Sequence, residues 1–487
     1  MNFQLPSYVN KILQMLNDHG FEAYVVGGAV RDLLLGLNPG DFDITTNARP
    51  EEVLQLARQQ KLKTVDKLSQ NYGVVMLIME GVPVEVATYR GERYGIDPHR
   101  PAEVWYCDKL EEDLGRRDFT VNAMALDARG QIYDFHGGRE DLQKKVLRTV
   151  GEAKIRYGED ALRMYRACRL VGQLDFSYEG TLPFDVSNCR GLSVERVRTE
   201  LDKLLISQAA GRGLRLFMDS GLVHAWCKVS GQGLSSYVPV LPELLHLCNL
   251  PQNSKFHCYD VWEHTLHALD NGPQELDVRW ALLLHDIAKG LPGIRKPNKE
   301  GQPSDYGHET KSADMAKIIL ERLGYGEAFI RRVVWLVSEH MRFTPMLFTG
   351  EKTLRHWVRT EATGGQFRSE AELAGAFIQL KEVFLADMGA TWAGVRQEPV
   401  LEQGRQLADE VVALAKGQMP VHTADLQVKG GELLQLVSPE QKKQVGVLLR
   451  YLLERVQAGS LPNEKAALLE AVKKRLEREA RQEEGGD

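Results

Sequence analysis

Asp41-Phe42-Asp43 places two carboxylates two residues apart. On a strand, residues at that spacing share a face, so the pair can hold divalent ions between them. Two such ions about 3.5–4 Å apart activate an attacking hydroxyl and stabilise a departing pyrophosphate. A D-x-D pair alone is common, and a turn or an exposed sheet edge accounts for most of them. The preceding residues change the odds. Gly27-Gly28-Ala29-Val30-Arg31-Asp32 reads as the end of a strand and the start of a helix. Paired glycines let a phosphate approach the backbone, and the helix N-terminus offers amide donors and positive potential. Arg31, one turn in, can donate to triphosphate oxygens as a fork. Glu85, in Val84-Glu85-Val86, is a candidate third acid, with a cross-strand ion pair as the alternative.

These side chains need elements to carry them. The stretch Tyr24 to Val26 reads as a strand, Val30 to Leu35 as a short helix and Phe42 to Thr45 as a second strand. Pro50-Glu51-Glu52 starts a helix, with proline in the first turn and acids near the positive end of the dipole. Gly73 to Met79 and Val82 to Thr88 flank Glu80-Gly81 as a hairpin. Segment 89–101, rich in glycine, proline and charge, reads as a mobile loop. From about residue 153 a helical period takes over. Leu162, Tyr165, Ala167 and Leu170 fall on one side, and arginines stand at 163, 166 and 169. A second helix follows, with Ser193 as its N-cap. Residues 231–240 read as a boundary, 297–307 and 427–432 as loops, and 464–484 as a charged helix.

The chain of 487 residues is long enough for about three domains. Its 61 basic and 67 acidic side chains, net −6, exclude a histone-like polycation but allow a basic groove inside an acidic whole. Six scattered cysteines form no C-x-x-C pair, which argues against a zinc ribbon and for a reducing compartment. The N-terminal segment is amphipathic rather than a signal peptide. No apolar run approaches the roughly 20 residues of a membrane helix. A soluble cytoplasmic protein without membrane contact is expected.

VVGGAVRDLLLG followed by GDFDITT resembles the first motif of the class II tRNA nucleotidyltransferases, the CCA-adding enzymes of the polymerase-beta superfamily. Arg116-Arg117-Asp118-Phe119-Thr120 is similar to that family's second motif, Asp134-Phe135-His136-Gly137-Gly138 to its third, and Glu159-Asp160-Ala161-Leu162-Arg163 to its fourth. The likeness covers residues 20–205 and, more weakly, the tail. It implies that Asp41 and Asp43 hold Mg²⁺ and are catalytic, and that Gly28, Arg31 and Arg117 seat the nucleotide. Asp160 and Arg163, three apart on a helix, would be neighbours on one face. A carboxylate accepts and a guanidinium donates, matching the amino group and ring nitrogen that cytosine and adenine both present. Guanine and uracil present the reverse order and would leave buried groups unpaired. Arg166 and Arg169 are expected at the triphosphate or the base pocket. Arg90, Asp97 and Arg100 stand at spacings similar to the family's flexible loop, with an ordinary hairpin excursion as the other reading.

Val261-Trp262-Glu263-His264-Thr265, then His285-Asp286 after an apolar run, then His308, His340 and Asp387, look like the HD superfamily of metal-dependent phosphohydrolases. The resemblance implies a divalent metal held by His264, His285, Asp286 and Asp387, with phosphatase or cyclic phosphodiesterase activity. His257 and His267 fit no such pattern and read as structural. Arg196, Arg198, Lys203, Arg212 and Arg215 could follow tRNA phosphates.

The fold expected is α+β. A small mixed-sheet head (1–150) precedes an all-helical neck (151–235), an HD-type helical domain (236–415) and a helical tail that contacts tRNA (416–487). The function expected is template-independent addition of C, C and A to tRNA 3′ ends from CTP and ATP by two-metal nucleotidyl transfer. The rivals are an A-adding enzyme or a poly(A) polymerase, an HD phosphohydrolase whose head only binds, and an RNA chaperone with two decayed sites.

Overall fold

A computed structural model of the chain describes residues 3–65, 73–94, 101–231, 234–347, 351–391, 398–416, 419–437 and 439–484. The chain divides into two units, Met1–Leu245 and His246–Asp487. The first opens with the helices α1 (Ser7–Asp18), α2 (Gly28–Leu34), α3 (Pro50–Gln59), α4 (Leu110–Gly115) and α5 (Gly138–Lys144). Its strands are β1 (Ala23–Val26), β2 (Asp43–Thr46), β3 (Lys63–Val65), β4 (Val74–Met79), β5 (Val82–Thr88), β6 (Arg90–Tyr94), β7 (Pro101–Tyr106), β8 (Met124–Leu126) and β9 (Ile132–Asp134). Seven of these form one sheet in the order β3-β4-β5-β2-β1-β8-β9. Neighbours are antiparallel except β2 against β5, so the head sheet is mixed, as expected.

Local chemistry explains most of these elements. In α1, Val9, Ile12, Leu13 and Leu16 recur at helical spacing and are all buried, which seats the helix on the sheet. Pro50 stands at the first position of α3, and the Arg49 N–H donates to the Glu52 carboxylate at 2.7 Å. Between β4 and β5, Glu80 and Gly81 have φ of 55° and 83°, the pair of positive values that a two-residue hairpin turn requires. Ser7 and Lys11 of α1 both donate to the Glu80 carboxylate.

Two expectations are corrected. Segment 89–101 is not simply a loop, because β6 and β7 pair across it, with Gly91 opposite Trp105. A Cβ on Gly91 would sit 2.4 Å from the Trp105 ring, so the glycine read as a loop marker is the bed on which a cross-strand aromatic lies. Nor is the neck all-helical. Its helices are α6 (Ala153–Glu159), α7 (Leu162–Leu174), α8 (Val194–Leu205) and α9 (Ala210–Asp219), and Ser193 caps α8 as expected. Between α7 and α8 lies β11 (Ser177–Tyr178), which pairs with β10 (Val146–Leu147) ahead of α6, and after α9 comes the hairpin β12 (Trp226–Gly231) and β13 (Leu234–Pro239). The hairpin occupies the expected boundary at 231–240. Trp226 is exposed and its neighbour Cys227 buried, as successive strand residues facing opposite ways can be.

The second unit contains α10 (Val261–Asn271), α11 (Leu276–Leu284), α12 (His308–Arg322), α13 (Glu327–Glu339), α14 (Phe343–Met346), α15 (Glu351–Thr363), α16 (Glu370–Thr391) and α17 (Glu398–Ala415). A two-residue pair, β14 (Lys296–Pro297) with β15 (Pro303–Ser304), closes the loop expected there. The helices α18 (Gly430–Leu433), α19 (Val445–Gln457) and α20 (Lys465–Glu484) follow. They enclose a core of their own that includes Leu433, Leu452, Val456, Leu468 and Val472. Among the described residues no helix is long and apolar enough to cross a membrane.

Helix α7 is seated on α9 through glycines. A Cβ on Gly213 would lie 2.5 Å from the Cys168 carbonyl oxygen, and one on Gly172 would lie 2.5 Å from Ser207 Oγ. Gly213→Ala is therefore expected to lower the unfolding free energy by about 1–3 kcal/mol through overpacking. Chemical denaturation, followed by circular dichroism, measures this.

Candidate active site

One cleft of about 450 Å³ in the first unit gathers residues from five separate stretches of sequence. Gly28 and Arg31 come from the first turn of α2, Asp43 from the start of β2 with Asp41 two residues before that strand, and Arg90 from β6. Arg117 and Asp118 follow α4, while Asp160, Arg163, Arg166 and Arg169 come from the α6–α7 region. The expected flexible-loop residues Asp97 and Arg100 lie outside the described residues. Gly27 has φ of 75°, and a Cβ there would meet Arg117 Nη1 at 3.1 Å. Only glycine both takes that backbone conformation and lets the guanidinium in.

The acids at the cleft repel one another. Ile44 pairs with Val86 across the parallel β2–β5 ladder, so Asp43 and Glu85, one step earlier on each strand, share the opposite face. Burial and then the charges of Glu85 and Asp41 push the Asp43 carboxyl up to about 6, against the pull of Arg117. Neighbouring carboxylates are a donor chemistry suited to a hard divalent cation. Glu85, the candidate third acid, lies on the strand beside Asp43 but is not among the residues that line the cleft.

The arginines are each held by a partner. Arg31 Nε donates to Asp32 and Nη1 to Asn122 Oδ1, both at 2.8 Å. Arg166 meets Asp118 at 2.7 Å, and Arg169 meets Glu200 at 2.7 Å. Burial of Asp118 opposes its ionisation, but Arg166 and Arg163 hold its carboxyl below the ordinary range. Asp118, Asn122 and Glu200 carry out this holding without having been singled out from sequence. Asp118 sits inside the second motif and Asn122 two residues beyond it, which was the available signal.

The expected Asp160–Arg163 face is corrected. Asp160 is not on a helix: its φ and ψ are −142° and 108°, between α6 and α7. Its Oδ1 accepts from the Leu162 N–H at 3.0 Å and its Oδ2 from Arg196 at 3.3 Å. Arg163 lies on α7 and is bound instead by Glu159, by the Arg156 carbonyl at 3.1 Å and by the Arg116 carbonyl at 3.0 Å. The sequence GED ends one helix before the next begins, so the i,i+3 argument does not apply. Both side chains nonetheless line the cleft. Two of the arginines expected on tRNA are in ion pairs, Arg196 with Asp160 and Arg212 with Asp175 at 2.8 Å.

The second unit holds a separate cluster. His264 on α10, His285 and Asp286 after α11, and Asp387 on α16 come together as expected, joined by His308 at the start of α12 and His340 just after α13. The six divide into His264, His285 and Asp387, and Asp286, His308 and His340. His264 Nε2 lies 2.9 Å from Asp387, and His308 Nε2 lies 3.0 Å from Asp286 Oδ1. Each Nδ1 faces a backbone carbonyl: Leu282 at 2.7 Å from His285, Asp305 at 2.8 Å from His308, Val337 at 2.7 Å from His340 and Ala390 at 3.3 Å from His264. A proton on each Nδ1 leaves the Nε2 lone pairs converging, at 3.3 Å between His264 and His285 and 3.2 Å between His308 and His340. That opposition is relieved by a cation, so the donors fit one. Lys289 Nζ lies 2.7 Å from Asp286 Oδ2. His257, read as structural, sits with its ring edge-on to His264 at 5.2 Å between centroids.

Comparison with known proteins follows the same division. The poly(A) polymerase head domain family matches residues 23–148, the RNA and SrmB-binding site of polymerase A matches 186–228, the HD domain matches 256–388, and tRNA nucleotidyltransferase domain 2 matches 391–472. The chain is 48% identical over 215 residues to the CCA-adding enzyme of Geobacillus sp. strain WCH70, covering 43% of this chain and 52% of that protein. It is 41% identical over 288 residues to the CCA-adding enzyme of Bacillus licheniformis, covering 58% of this chain and 67% of that one. The chain spans about half the length of the Geobacillus relatives it matches. Among solved structures, the Bacillus stearothermophilus CCA-adding enzyme in complex with CTP superposes with a TM-score of 0.57 at 25% identity, over 98% of this chain and 100% of that one. The Thermotoga maritima CCA-adding enzyme complexed with tRNA shares the fold, with a TM-score of 0.52 at 20% identity, over 95% of this chain and 94% of that one.

Two outcomes follow from the electrostatics. The raised Asp43 carboxyl costs nothing below its ordinary value of 3.8, where it is protonated folded or unfolded, and its full cost appears above about 6. In metal-free protein, Asp43→Asn is expected to raise stability by about 1–3 kcal/mol at pH 7.5 and to change nothing near pH 3.5, as read by urea denaturation. Returning Mn²⁺ or Zn²⁺ to chelator-stripped protein at about a hundredfold its dissociation constant is expected to stabilise the second unit by about 2.7 kcal/mol. His285→Ala should remove most of that gain.

Proposed function

This chain belongs to the family of CCA-adding enzymes, and we propose that its head adds C, C and A to tRNA 3′ ends from CTP and ATP, without a nucleic-acid template. The observation that carries the reading is that Asp41 and Asp43, the phosphate-seeking Arg31 and Arg117, and the base readers Asp160 and Arg163 line one cleft. Gly28 and the start of α2 give the triphosphate an amide-lined seat, and Arg31, Arg117, Arg166 and Arg169 supply cations around it. The Asp160 carboxylate accepts from the exocyclic amino group of cytosine or adenine, and the Arg163 guanidinium donates to the adjacent ring nitrogen. Guanine and uracil would set donor against donor and acceptor against acceptor, leaving the readers unpaired. The hold of Glu159 and the Arg116 carbonyl on Arg163 keeps that donor pre-aimed, so little ordering is left for the moment of binding. Asp41 and Asp43, with Glu85 beside them, would hold two Mg²⁺ ions, which when bound polarise the attacking hydroxyl and the leaving pyrophosphate.

In this reading the chain runs as head, neck, HD-type domain and tail, near 1–150, 151–235, 236–415 and 416–487. The neck and tail hold tRNA, and the protein works in the cytoplasm. A second activity is supported by the histidine–aspartate cluster: metal-dependent hydrolysis of a phosphate ester or cyclic phosphate, served by His264, His285, Asp286 and Asp387 together with His308 and His340.

Incubation with tRNA ending at the discriminator base, first with CTP alone and then with CTP and ATP, tests the main reading. Addition of two C residues and then one A is expected, whereas extension only of tRNA already ending in CC would reassign the chain as an A-adding enzyme. Asp41→Ala and Asp43→Ala should each cut incorporation by more than about a hundredfold, and Asp160→Ala should lower the preference for CTP over UTP by at least about tenfold. His285→Ala should leave addition intact and abolish phosphate release. A main activity that survives Asp41→Ala and Asp43→Ala but is lost in His285→Ala would make the HD domain the working part.

A further inference from the structure

Behind the cleft, on α4, Asp113 is completely buried and does not line the cavity. Its carboxylate nonetheless touches three parts of the machinery. Oδ1 accepts from Arg116 Nε at 3.0 Å and Nη2 at 2.9 Å, and from the backbone N–H of Arg90 at 3.4 Å, where β6 begins. Oδ2 accepts from Thr45 Oγ1 at 3.0 Å, on the strand that carries Asp43, and lies 3.6 Å from Arg117 Nη2. The other side of the Arg117 guanidinium is bounded by Gly27, where a Cβ would be 3.1 Å from Nη1. Arg117 is thus confined between the phosphate-seating turn and one buried carboxylate.

We propose that Asp113 is a positioning residue that aims Arg117 at the β- and γ-phosphates of the incoming nucleotide, with Arg116 as the second guanidinium it holds. The inference rests on the reading of the cleft as a nucleoside triphosphate seat. Arg116 and Arg117 are like charges on adjacent residues. The shared carboxylate offsets their repulsion from the buried side, and Thr45 fixes which way its oxygens face. A neutral side chain of the same shape keeps the packing but frees the two guanidinium groups to separate. The consequence falls on the far end of the nucleotide, because Asp160 and Arg163, which face the base, are held by other partners.

The test compares binding of CTP and CMP to the full-length protein with Mg²⁺, by equilibrium dialysis, in the wild type, Asp113→Asn, Arg117→Gln and the double variant. CTP affinity is expected to fall roughly tenfold in Asp113→Asn while CMP affinity holds. The double variant should bind CTP no worse than Arg117→Gln alone, because a residue acting through another adds nothing once that other is gone. Equal weakening of CTP and CMP, no weakening, or additive losses in the double variant would overturn the inference and leave the nucleotide reading standing. A wild type that binds no CTP would remove both. Thr45→Val keeps the charge and deletes one orienting bond. It should give a smaller loss of the same CTP-selective kind, and it decides the matter if Asp113→Asn does not fold.

Discussion

Asp118 is almost fully buried and meets Arg166 at 2.7 Å, while Asp113, fully buried, carries Arg116 and Arg117. A carboxylate removed from water is costly unless a cation and hydrogen bonds replace its hydration, and the same holds for each guanidinium. The head satisfies both demands by setting them against each other around one cleft. Such pairs add little net stability; what they provide is a fixed array of donors, pre-aimed before any ligand arrives. The elements that look remote from the chemistry, α4 and α8 above all, have their place because they bring the opposing charges.

At Asp43, which lines the cleft, this compensation falls short, because the pull of Arg117 is outweighed. Burial first, and then the charges of Glu85 and Asp41, hold the Asp43 carboxyl up near 6. The second unit solves an analogous problem with a different donor. Backbone carbonyls take the Nδ1 side of four imidazoles, turning their Nε2 atoms onto one another and onto Asp286 and Asp387. In both places the fold spends stability to gather like groups, and in both a divalent cation is the species that would recover it.

Much of this was legible from residue type and spacing. The Gly-Gly turn, the D-x-D strand, the Pro50 helix start and the Glu80-Gly81 hairpin are local events, decided by backbone sterics and side-chain alternation within a few residues. The His285-Asp286 dyad was legible after the apolar run of α11, and its distant partners through their likeness to the HD superfamily. Segment 89–101 misled because composition was weighed above pairing: Gly91 looks like a loop residue until Trp105 is laid across it. Asp160 misled for a similar reason, since the helical period runs on through a break that only backbone dihedrals reveal.

By itself the sequence determined which groups could do chemistry and which short elements would carry them, because those follow from side-chain type and from periods of two and 3.6. It could not determine that Asp113 lies behind Arg117, that Arg196 meets Asp160, or that Glu159 rather than Asp160 holds Arg163. Those pairings depend on where α4, α6, α7 and α8 come to rest. A buried charge takes whichever opposite charge the packed backbone brings within a few ångströms, and no spacing along the chain encodes that distance.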